Sequence, residues 1–391
     1  MTAAASQQQR PETDLLRVLH AYKVYRPDIQ GGIPAVISSL AEDRTVAHSV
    51  QCARLFGLGR DYDDEGTPVH ATSSLGTLFS TPVAPFYIPA LCHRMKQQDI
   101  VVHHAPFPLN DAAILIGLPA DVALVVYWHA DVLGYPLLRR LVSPMTRRVL
   151  ERADTIVVSG EALIDGSELL RPHAAKCAVL PFGISLDYWR RLDATEQANV
   201  AKMQRDRPRH IVAVGRLVGY KGFHVLIDAL ATIDAHVTVV GEGPLKAALE
   251  QHAVKAGVSH KIDFVGAQSR SHIKTLFHAA QVMAFPSVTE AEAFGIVQIE
   301  AMATGLPIVN TSLPTTVPTV ARHEQEALTV APNDAPALAA ALNRILDEPG
   351  LQARLGAAAS LRASAEFDDG IYHDRMMMIY RRAMDRPGSA S

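Results

Sequence analysis

Cysteine, aromatic residues and an excess of either charge are all scarce in this chain of 391 residues. The three cysteines, Cys52, Cys92 and Cys177, are scattered and odd in number, so they predict neither a disulfide framework nor a Cys-x-x-Cys metal site, as suits a reducing compartment. Lys and Arg total 37 and Asp and Glu total 40, a net charge of −3, which excludes a global basic field for nucleic acid. Glycine and proline, 24 of each, are near average and exclude collagen-like or low-complexity chains.

The chain also lacks any predicted targeting or membrane-spanning segment. Residues 1–14 have no basic segment followed by an apolar run, so we expect a disordered tail rather than a signal peptide. The most apolar stretch, 112–130, is interrupted by Asp121, whereas a spanning helix needs about 20 apolar residues. We therefore expect a buried helix followed by a buried strand there, in a cytoplasmic protein.

Short β-branched runs alternate with helical patterns along the chain. Continuous apolar strands separated by helices are typical of parallel sheets covered on both faces. The predicted strands are residues 17–21, 100–104, 123–127, 155–159, 210–214, 236–240, 261–265, 282–285 and 306–309.

The most polar stretch in mid-chain, 190–209, precedes a new strand at His210, and we interpret it as a linker between two doubly wound α/β domains. Two such sheets leave ligand sites outside the carboxyl ends of their strands. The predicted division is a tail at 1–14, an N-terminal domain at 15–195, a linker at 196–209, a C-terminal domain at 210–367, and a closing helix and tail at 368–391.

The strongest chemical signal lies in residues 286–305, where a strand ends, a loop follows and a helix begins near Gly295. Glu300 falls within an otherwise apolar helix face, where a charge is costly unless it is paired or binds a ligand. The backbone N–H groups of Gly295, Ile296 and Val297 would form an anion site flanked by Glu292 and Glu300. The alternative is that Glu290 or Glu292 caps the helix and that Glu300 belongs to a structural ion pair.

A second signal is a strand-to-helix loop that carries Arg216 and Lys221, bracketed by Gly215 and Gly222. Two cations at the carboxyl edge of a sheet suit a diphosphate, and the glycines permit close backbone approach. The alternative is a pair of solvated surface charges.

The N-terminal half carries weaker signals. Gly31 and Gly32 follow the first strand and precede a helix, which permits close contact with a phosphate or sugar. His129 follows the strand at 123–127 and stands at its carboxyl end, where it is either a structural or a functional residue.

Together these residues resemble a retaining glycosyltransferase of family four with the GT-B fold, two Rossmann-like doubly wound domains facing across a cleft. The resemblance spans roughly residues 15–385, and Phe182 stands where the family usually has Asn. It is carried by the pair Glu292 and Glu300 with Phe294-Gly295, by Gly215-Arg216-Leu217 with Lys221-Gly222, and by Val240-Gly-Glu-Gly-Pro244, Phe264-Val-Gly266, Trp128-His-Ala-Asp131, Arg152-Ala-Asp154 and Pro181-Phe-Gly-Ile184.

The resemblance implies that Arg216 and Lys221 bind the donor diphosphate and stabilise the leaving group. It implies that Glu292 contacts hydroxyls of the donor sugar, that His129 lies near the transferred sugar, and that Glu300 binds the nucleotide ribose. The remaining residues implied in donor binding are Gly31, Gly32, Gly215, Val265, Gly266, Phe294, Gly295, Ile296 and Val297.

By the same resemblance the donor is a nucleotide sugar, with GDP-mannose favoured over a UDP-hexose, and the acceptor is a saccharide on polyprenyl diphosphate. Charge on a departing diphosphate must be stabilised by a metal or by fixed cations and dipoles. No Asp-x-Asp motif is positioned as a metal site, so we expect a metal-independent reaction. No carboxylate suits a double displacement, so front-face attack with retention is favoured.

Residues 136–152 carry five arginines and one glutamate among apolar positions. A basic amphipathic helix can lie on anionic lipid, which would place the protein at the inner membrane. A core-packed helix with a solvated face is the alternative, and Pro144 could kink or divide it.

Three other functions compete with this interpretation. A sugar-nucleotide epimerase or a sucrose- or trehalose-type synthase would use the same architecture. A dinucleotide-dependent oxidoreductase needs Gly-x-Gly-x-x-Gly, and the candidates at Gly241 and Gly57 both fail at the third glycine. A non-catalytic carbohydrate- or nucleotide-binding protein would retain the same cations and glutamates.

Overall fold

A computed structural model describes residues 15–29, 31–78, 81–131 and 136–385. Contacts divide the chain into two units, unit 1 (Met1–Val157 with Met377–Ser391) and unit 2 (Val158–Met376). The division falls inside the strand Thr155–Val158, so it differs from the boundary that polarity favours near residue 195. The predicted tail at 1–14 lies outside the described residues.

Unit 1 contains a sheet whose strands follow the order β9-β8-β7-β1-β2-β4-β3. The registers of β1 with β2 and β7, of β2 with β4, and of β7 with β8 are parallel, and β3 runs antiparallel to its neighbour β4. These strands are β1 Leu16–Ala21, β2 Val46–Ala53, β3 Arg60–Asp64, β4 Thr67–Thr72, β7 Ile100–Ala105, β8 Ala123–Trp128 and β9 Thr155–Val158, and a separate antiparallel pair is formed by β5 Thr77–Leu78 and β6 Thr81–Pro82.

Four helices connect these strands: α1 Gly32–Ala41, α2 Tyr87–Met95, α3 Pro108–Gly117 and α4 Pro136–Arg152. Strand β8 confirms the predicted buried strand within 112–130, but α3 is only partly buried, because Leu115 and Ile116 near its end are exposed. Helix α4 continues through Pro144, so the proline does not divide it. Val149 and Leu150 are buried while Arg147 and Arg148 are exposed, which matches the alternative of a core-packed helix with a solvated face.

Unit 2 contains a six-stranded sheet in the order β13-β12-β11-β14-β15-β16. Every pairing in it is parallel, as the apolar runs predict. Its strands are β11 His210–Val214, β12 His236–Val240, β13 Ile262–Phe264, β14 Val282–Ala284, β15 Ile308–Thr311 and β16 Ala327–Val330. A short strand, β10 Cys177–Val179, precedes them along the chain and belongs to the other sheet. The strand order reverses between β11 and β14, and this switch point is where open α/β sheets bind ligands.

The helices of unit 2 cover a core that includes Ile211, Val237, Val282 and Val309. They are α5 Glu161–Gly166, α6 Leu186–Arg190, α7 Ala194–Asp206, α8 Phe223–Ala229, α9 Lys246–Lys255, α10 Arg270–Ala279, α11 Ile296–Ala303, α12 Val317–Val320, α13 Ala335–Asp347, α14 Pro349–Glu366 and α15 Asp369–Met384, the last of which continues into unit 1. Helix α15 lies in the segment where the sequence predicts the last helix.

The predicted linker is a capped helix. Asp193 and Glu196 form a reciprocal capping box that begins α7, satisfying backbone N–H groups that would otherwise lack acceptors. The buried Glu196 also pairs with Lys274 at 2.7 Å, which fastens α7 to α10. High polarity at 190–209 therefore reflects a charged helix surface with one buried ion pair.

All nine predicted strands are present within a few residues of their expected bounds. The sequence patterns missed β2, β4 and their neighbours because polar residues interrupt the apolar runs. Gln51 and His48 lie on β2, and both are buried. Within the described ranges, the helices are all too short or too polar to cross a bilayer.

Candidate functional site

The predicted C-terminal motifs lie at the switch point of the unit 2 sheet. Strand β11 ends at Val214, immediately before the loop that carries Arg216 and Lys221, and the adjacent β14 ends at Ala284, before the loop that leads to Glu292. Because parallel strands share one carboxyl edge, the two loops emerge side by side.

These two loops are held together by backbone contacts. The N–H of Val288 donates to the carbonyl of Tyr220 at 2.8 Å. Gly222 has a φ of +68°, and a Cβ there would overlap the carbonyl oxygen of Pro286. Only glycine meets both conditions without strain, so Gly222 permits the close approach that brings the two motifs together.

Lys221 and Glu292 form an ion pair between the loops. The Lys221 Nζ lies 2.5 Å from the Glu292 Oε2, and both side chains are about nine-tenths buried, at 12% and 9% exposed. The hydroxyl of Ser287 donates to the same carboxylate oxygen at 2.9 Å, and the ammonium also lies 5.1 Å from the centre of the Phe285 ring. The two charges therefore satisfy one another.

Arg216, in contrast, is exposed, and its guanidinium makes no hydrogen bond or ion pair with any residue that the structure describes. It lies within electrostatic range of the same cluster. Burial raises the pKa of the Tyr220 phenol, the Glu292 carboxylate raises it further, and the Arg216 charge opposes the rise. Lys221 is thus paired within the protein, whereas the Arg216 side chain is available to bind a ligand.

Helix α11 begins at the second loop with its backbone donors uncommitted. Gly295 adopts a left-handed φ of +80°, and the N–H groups of Gly295, Ile296 and Val297 have no acceptor among the described residues. The buried Gln298 side chain bonds the carbonyls of Phe294 and Val317 and so fixes the start of the helix. Three free N–H groups at a helix N-terminus form the anion site that the sequence predicts.

Glu300 lies one turn farther along α11, and its carboxylate has no hydrogen bond or ion pair within the described part of the chain. Burial raises the pKa of this carboxyl to about 7, and Arg270 partly opposes the shift. A structural ion pair would lower the pKa instead. The alternative from sequence, that Glu300 belongs to a structural ion pair, is therefore wrong.

The alternative that Glu290 or Glu292 caps helix α11 is wrong as well. Gly295 occupies the N-cap position of α11, no side chain caps it, and Glu292 is paired with Lys221. Glu290 is exposed. The alternative of two solvated cations applies only to Arg216.

The remaining predicted residues of unit 2 lie at the same carboxyl edge. The N–H of Gly215 donates to Val240 at 2.9 Å, and the N–H of Gly241 donates to Gly266 at 2.9 Å, which ties together the loops after β11, β12 and β13. Val265 donates its N–H to Val239 at 3.0 Å within this arrangement.

Phe294 is a packing residue. Its ring lies edge-on to Phe182 at 4.8 Å and to Phe367 at 6.4 Å. Phe182, the departure from the family's usual Asn, therefore supports the loop that carries Glu292.

Three predicted residues lie in unit 1. Gly31 is exposed and extended, with open space where a Cβ would be, and Gly32 begins α1. His129 follows β8 and is 8% exposed. Its Nε2 lies 2.9 Å from Nδ1 of His104, and burial lowers the pKa of its imidazole to about 3, so the ring is neutral at physiological pH.

Sequence reasoning missed two partners of the predicted residues, Ser287 and Tyr220. Ser287 stands next to Pro286 in the motif, yet only the fold shows that its hydroxyl meets Glu292. Across the described ranges there is also no cluster of three or more histidine, cysteine or acidic side chains suited to a metal ion.

Comparisons with known proteins agree with this geometry. Residues 195–362 match the family model for glycosyl transferases group 1, and residues 31–183 match a glycosyl transferase 4-like domain. The chain is 30% identical to the O-antigen chain mannosyltransferase C of Escherichia coli over 93% of its own length and 97% of the relative's. The chain belongs to the group 1 glycosyltransferases.

A second relative of this glycosyltransferase is the D-rhamnosyltransferase WbpZ of Pseudomonas aeruginosa, 28% identical over 89% of this chain and 91% of the relative. Among solved structures, the Anabaena protein HepE in complex with UDP superposes with a TM-score of 0.76 at 18% identity, covering 94% of this chain and all of that chain. That likeness shows the fold, which is GT-B, as the motifs imply.

Proposed function

We propose that this glycosyltransferase transfers mannose from GDP-mannose, with retention of anomeric configuration, to a saccharide carried on polyprenyl diphosphate during exopolysaccharide or O-antigen synthesis. The observation that carries the proposal is the cluster at the unit 2 switch point, where Lys221 and Glu292 are paired beside three free N–H groups. Such a cluster combines anion binding with acceptance of hydroxyl hydrogen bonds.

The leaving group is a diphosphate, and its developing charge needs preorganised donors. Arg216 is uncommitted, and the N-terminus of α11 offers N–H groups and a favourable dipole. Lys221 reaches the same place once Glu292 finds another partner. Fixed cations and dipoles therefore supply what a metal would otherwise provide, and we propose a metal-independent reaction.

Donor binding exchanges the partners of the ion pair. Sugar hydroxyls donate to Glu292 and release the ammonium of Lys221 to a phosphate oxygen. The ribose hydroxyls donate to the otherwise unpaired Glu300, while Gly215, Val265 and Gly266 approach the nucleotide through their backbone. Gly31 and Gly32 are proposed to contact the sugar phosphate, and His129 is proposed to contact the transferred sugar.

The choice of sugar rests on the relatives rather than on the site. One relative is named a mannosyltransferase and another a D-rhamnosyltransferase, and both cover most of the chain. The same cluster would serve a UDP-hexose, so nucleotide and sugar are the first properties to test.

Membrane contact is proposed through the exposed side of α4. Arg140, Arg147 and Arg148 are exposed on this helix, with Leu141 beside them at 77% exposed. Basic side chains interspersed with an exposed leucine favour anionic lipid, where a polyprenyl-linked acceptor resides.

Initial-rate assays with a polyprenyl-diphosphate saccharide and a set of donors test the donor assignment. We expect turnover with GDP-mannose to exceed that with UDP-hexoses and with D-rhamnose activated by GDP, and GDP to raise the melting temperature more than UDP or ADP. Preferential stabilisation by UDP, together with turnover of a UDP-hexose, would show that the donor is a UDP-hexose and not GDP-mannose.

Two further measurements test the reaction type. The anomeric coupling of the product, measured by NMR, should report retention, and an excess of EDTA should leave the rate unchanged. A labelled donor incubated without acceptor should stay intact, because release of an epimerised nucleotide sugar would identify an epimerase instead.

A further inference from the structure

Four buried histidines of unit 1 form one continuous hydrogen-bonded chain. His48 Nδ1 lies 2.9 Å from His20 Nε2, His20 Nδ1 lies 3.0 Å from His104 Nε2, and His104 Nδ1 lies 2.9 Å from His129 Nε2. His20 and His104 are fully buried, and the two outer rings are 8% exposed. Each bond joins an Nδ1 to an Nε2, so the chain has a uniform direction. We call these four residues the histidine chain.

The strand register explains why the chain is continuous. His48 is level with Val18 on the neighbouring strand, two residues before His20, and His20 is level with Val102, two residues before His104. His104 is level with Tyr127, two residues before His129. Residues two apart share one face of a sheet, so each step moves one strand across and about 7 Å toward the carboxyl edge.

The shared protons restrict the chain to few states. An N···N hydrogen bond holds one proton, and a neutral imidazole carries one proton in total. Four neutral rings joined by three such bonds therefore have two arrangements: all rings protonated at Nδ1, or all protonated at Nε2. Burial, which lowers the pKa of His20, His104 and His129, supports neutral rings.

We infer that His48, His20 and His104 are positioning residues that set the tautomer of His129 through this chain. In one arrangement Nδ1 of His129 donates a hydrogen bond, and in the other it accepts one. The hydrogen bonding of His129 at the carboxyl edge is thus tied to a ring three strands away. A merely structural role would require the rings to pack, without a common tautomer.

Long-range ¹H–¹⁵N NMR of the full-length protein labelled with ¹⁵N-histidine tests the inference directly. We expect His20, His104 and His129 to be neutral and to share one tautomer, with signals assigned by single substitutions. A wild-type spectrum in which the three rings have different tautomers overturns the inference, and this result needs no variant to fold.

Coupling along the chain is tested by His20→Leu, two rings away from His129. We expect both nitrogen shifts of His129 to move toward a mixture of tautomers, whereas the matched control His210→Leu leaves them unchanged. His210 is equally buried, but it lies in unit 2 and bonds Thr238 at 2.9 Å. Unchanged His129 shifts in a folded His20→Leu protein overturn the coupling.

The catalytic consequence rests on the proposed function, and its failure is separable. If His129 contacts the sugar, His20→Leu should lower kcat by about tenfold, the worth of one hydrogen bond, with the KM for donor nearly unchanged. A change of the His129 tautomer without a change of rate would support the coupling through the histidine chain and reject the proposed role of His129 in catalysis. A rate change without a tautomer change would reject the chain.

Discussion

The two polar clusters of this glycosyltransferase differ in their electrostatics. The unit 2 cluster is charged and incomplete: Lys221 and Glu292 pair with each other, while Glu300 and Arg216 have no ion-pair partner among the described residues. The unit 1 histidine chain is neutral, and both nitrogens of each inner ring, His20 and His104, are engaged.

This difference teaches where an ionic ligand is expected. Unsatisfied charges and N–H groups at a sheet edge gain most from a bound diphosphate with its sugar and ribose hydroxyls. A closed neutral chain gains little from charge and instead holds one ring in a defined state. Substitutions in the charged cluster are therefore expected to have the largest effects on transfer.

The largest effect is expected from Lys221→Ala. The substitution removes a cation from the proposed diphosphate site and leaves Glu292 buried without its ammonium, so transfer should fall by roughly 10²–10³ or more in kcat/KM. The control is Lys246→Ala, because Lys246 is more exposed than Lys221 and lies farther from its acidic partner, at 3.8 Å from Glu242. A Lys221→Ala enzyme with wild-type kcat/KM would contradict the charged-cluster assignment.

Arg216→Ala should lower kcat/KM by about 10² through loss of one charged donor at the leaving group. Because the exposed guanidinium has no internal partner in the described structure, the melting temperature should stay near that of the wild type. Arg205→Ala, an equally exposed arginine on α7, is the matched control for charge removal. Equal losses in the two variants would show that net charge alone is responsible.

Glu300→Gln should weaken nucleotide binding by about 10- to 100-fold through loss of charge-assisted hydrogen bonds from ribose. Because the pKa of Glu300 is about 7, wild-type affinity for GDP should rise between pH 6 and 8 as the carboxylate forms, whereas the variant should show no such rise. Isothermal titration across this range checks both expectations, and a parallel pH profile in the variant would refute the role of Glu300.

Glu300→Gln should stabilise the fold of the ligand-free protein, although it weakens nucleotide binding. The ordinary pKa of this carboxyl is 4.5 and its folded value is about 7, so the folded state binds the proton more tightly than the unfolded state. The stabilising contribution is complete below pH 4.5 and is lost as pH rises through 7. Relative to the wild type, Glu300→Gln should therefore gain free energy of unfolding over this window, as urea titrations at pH 5 and pH 8 can measure.

The smallest effect concerns the surface of unit 1. Replacing Arg147 and Arg148 by alanine should cost about 1 kcal/mol of vesicle binding per arginine without changing kcat on a soluble acceptor analogue. Cosedimentation with vesicles that contain anionic lipid measures this loss, and vesicles of neutral lipid are the control. Equal binding to both kinds of vesicle, before and after substitution, would exclude α4 as a membrane contact.

The C-terminal motifs were predictable because their residues are close in sequence. Lys221 and Gly222 share one loop, and the segment from Glu292 to Glu300 is continuous through the start of α11. Strand ends and helix starts follow from local hydrophobic patterns, so the anion site at Gly295 could be placed from sequence. The ion pair between Lys221 and Glu292 could not, because it depends on the adjacency of β11 and β14.

The N-terminal half was harder to interpret for a physical reason. Of the four members of the histidine chain, only His129 was singled out from sequence, because a histidine at a strand end is an ordinary local signal. The histidine chain draws its members from β1, β2 and β7 as well, and no spacing along the chain links them. The polar residues that interrupt β2 also concealed that strand.

The sequence by itself determined the α/β class, most strands, the loops that carry the cations and glutamates, and the family. These features depend on periodicity and on short motifs, which are properties of neighbouring residues. Tertiary structure alone decided that Lys221 pairs with Glu292, that Glu300 has no ion-pair partner among the described residues, and that four histidines align across adjacent strands. Parallel pairing joins residues far apart along the chain, and such contacts have no local signature.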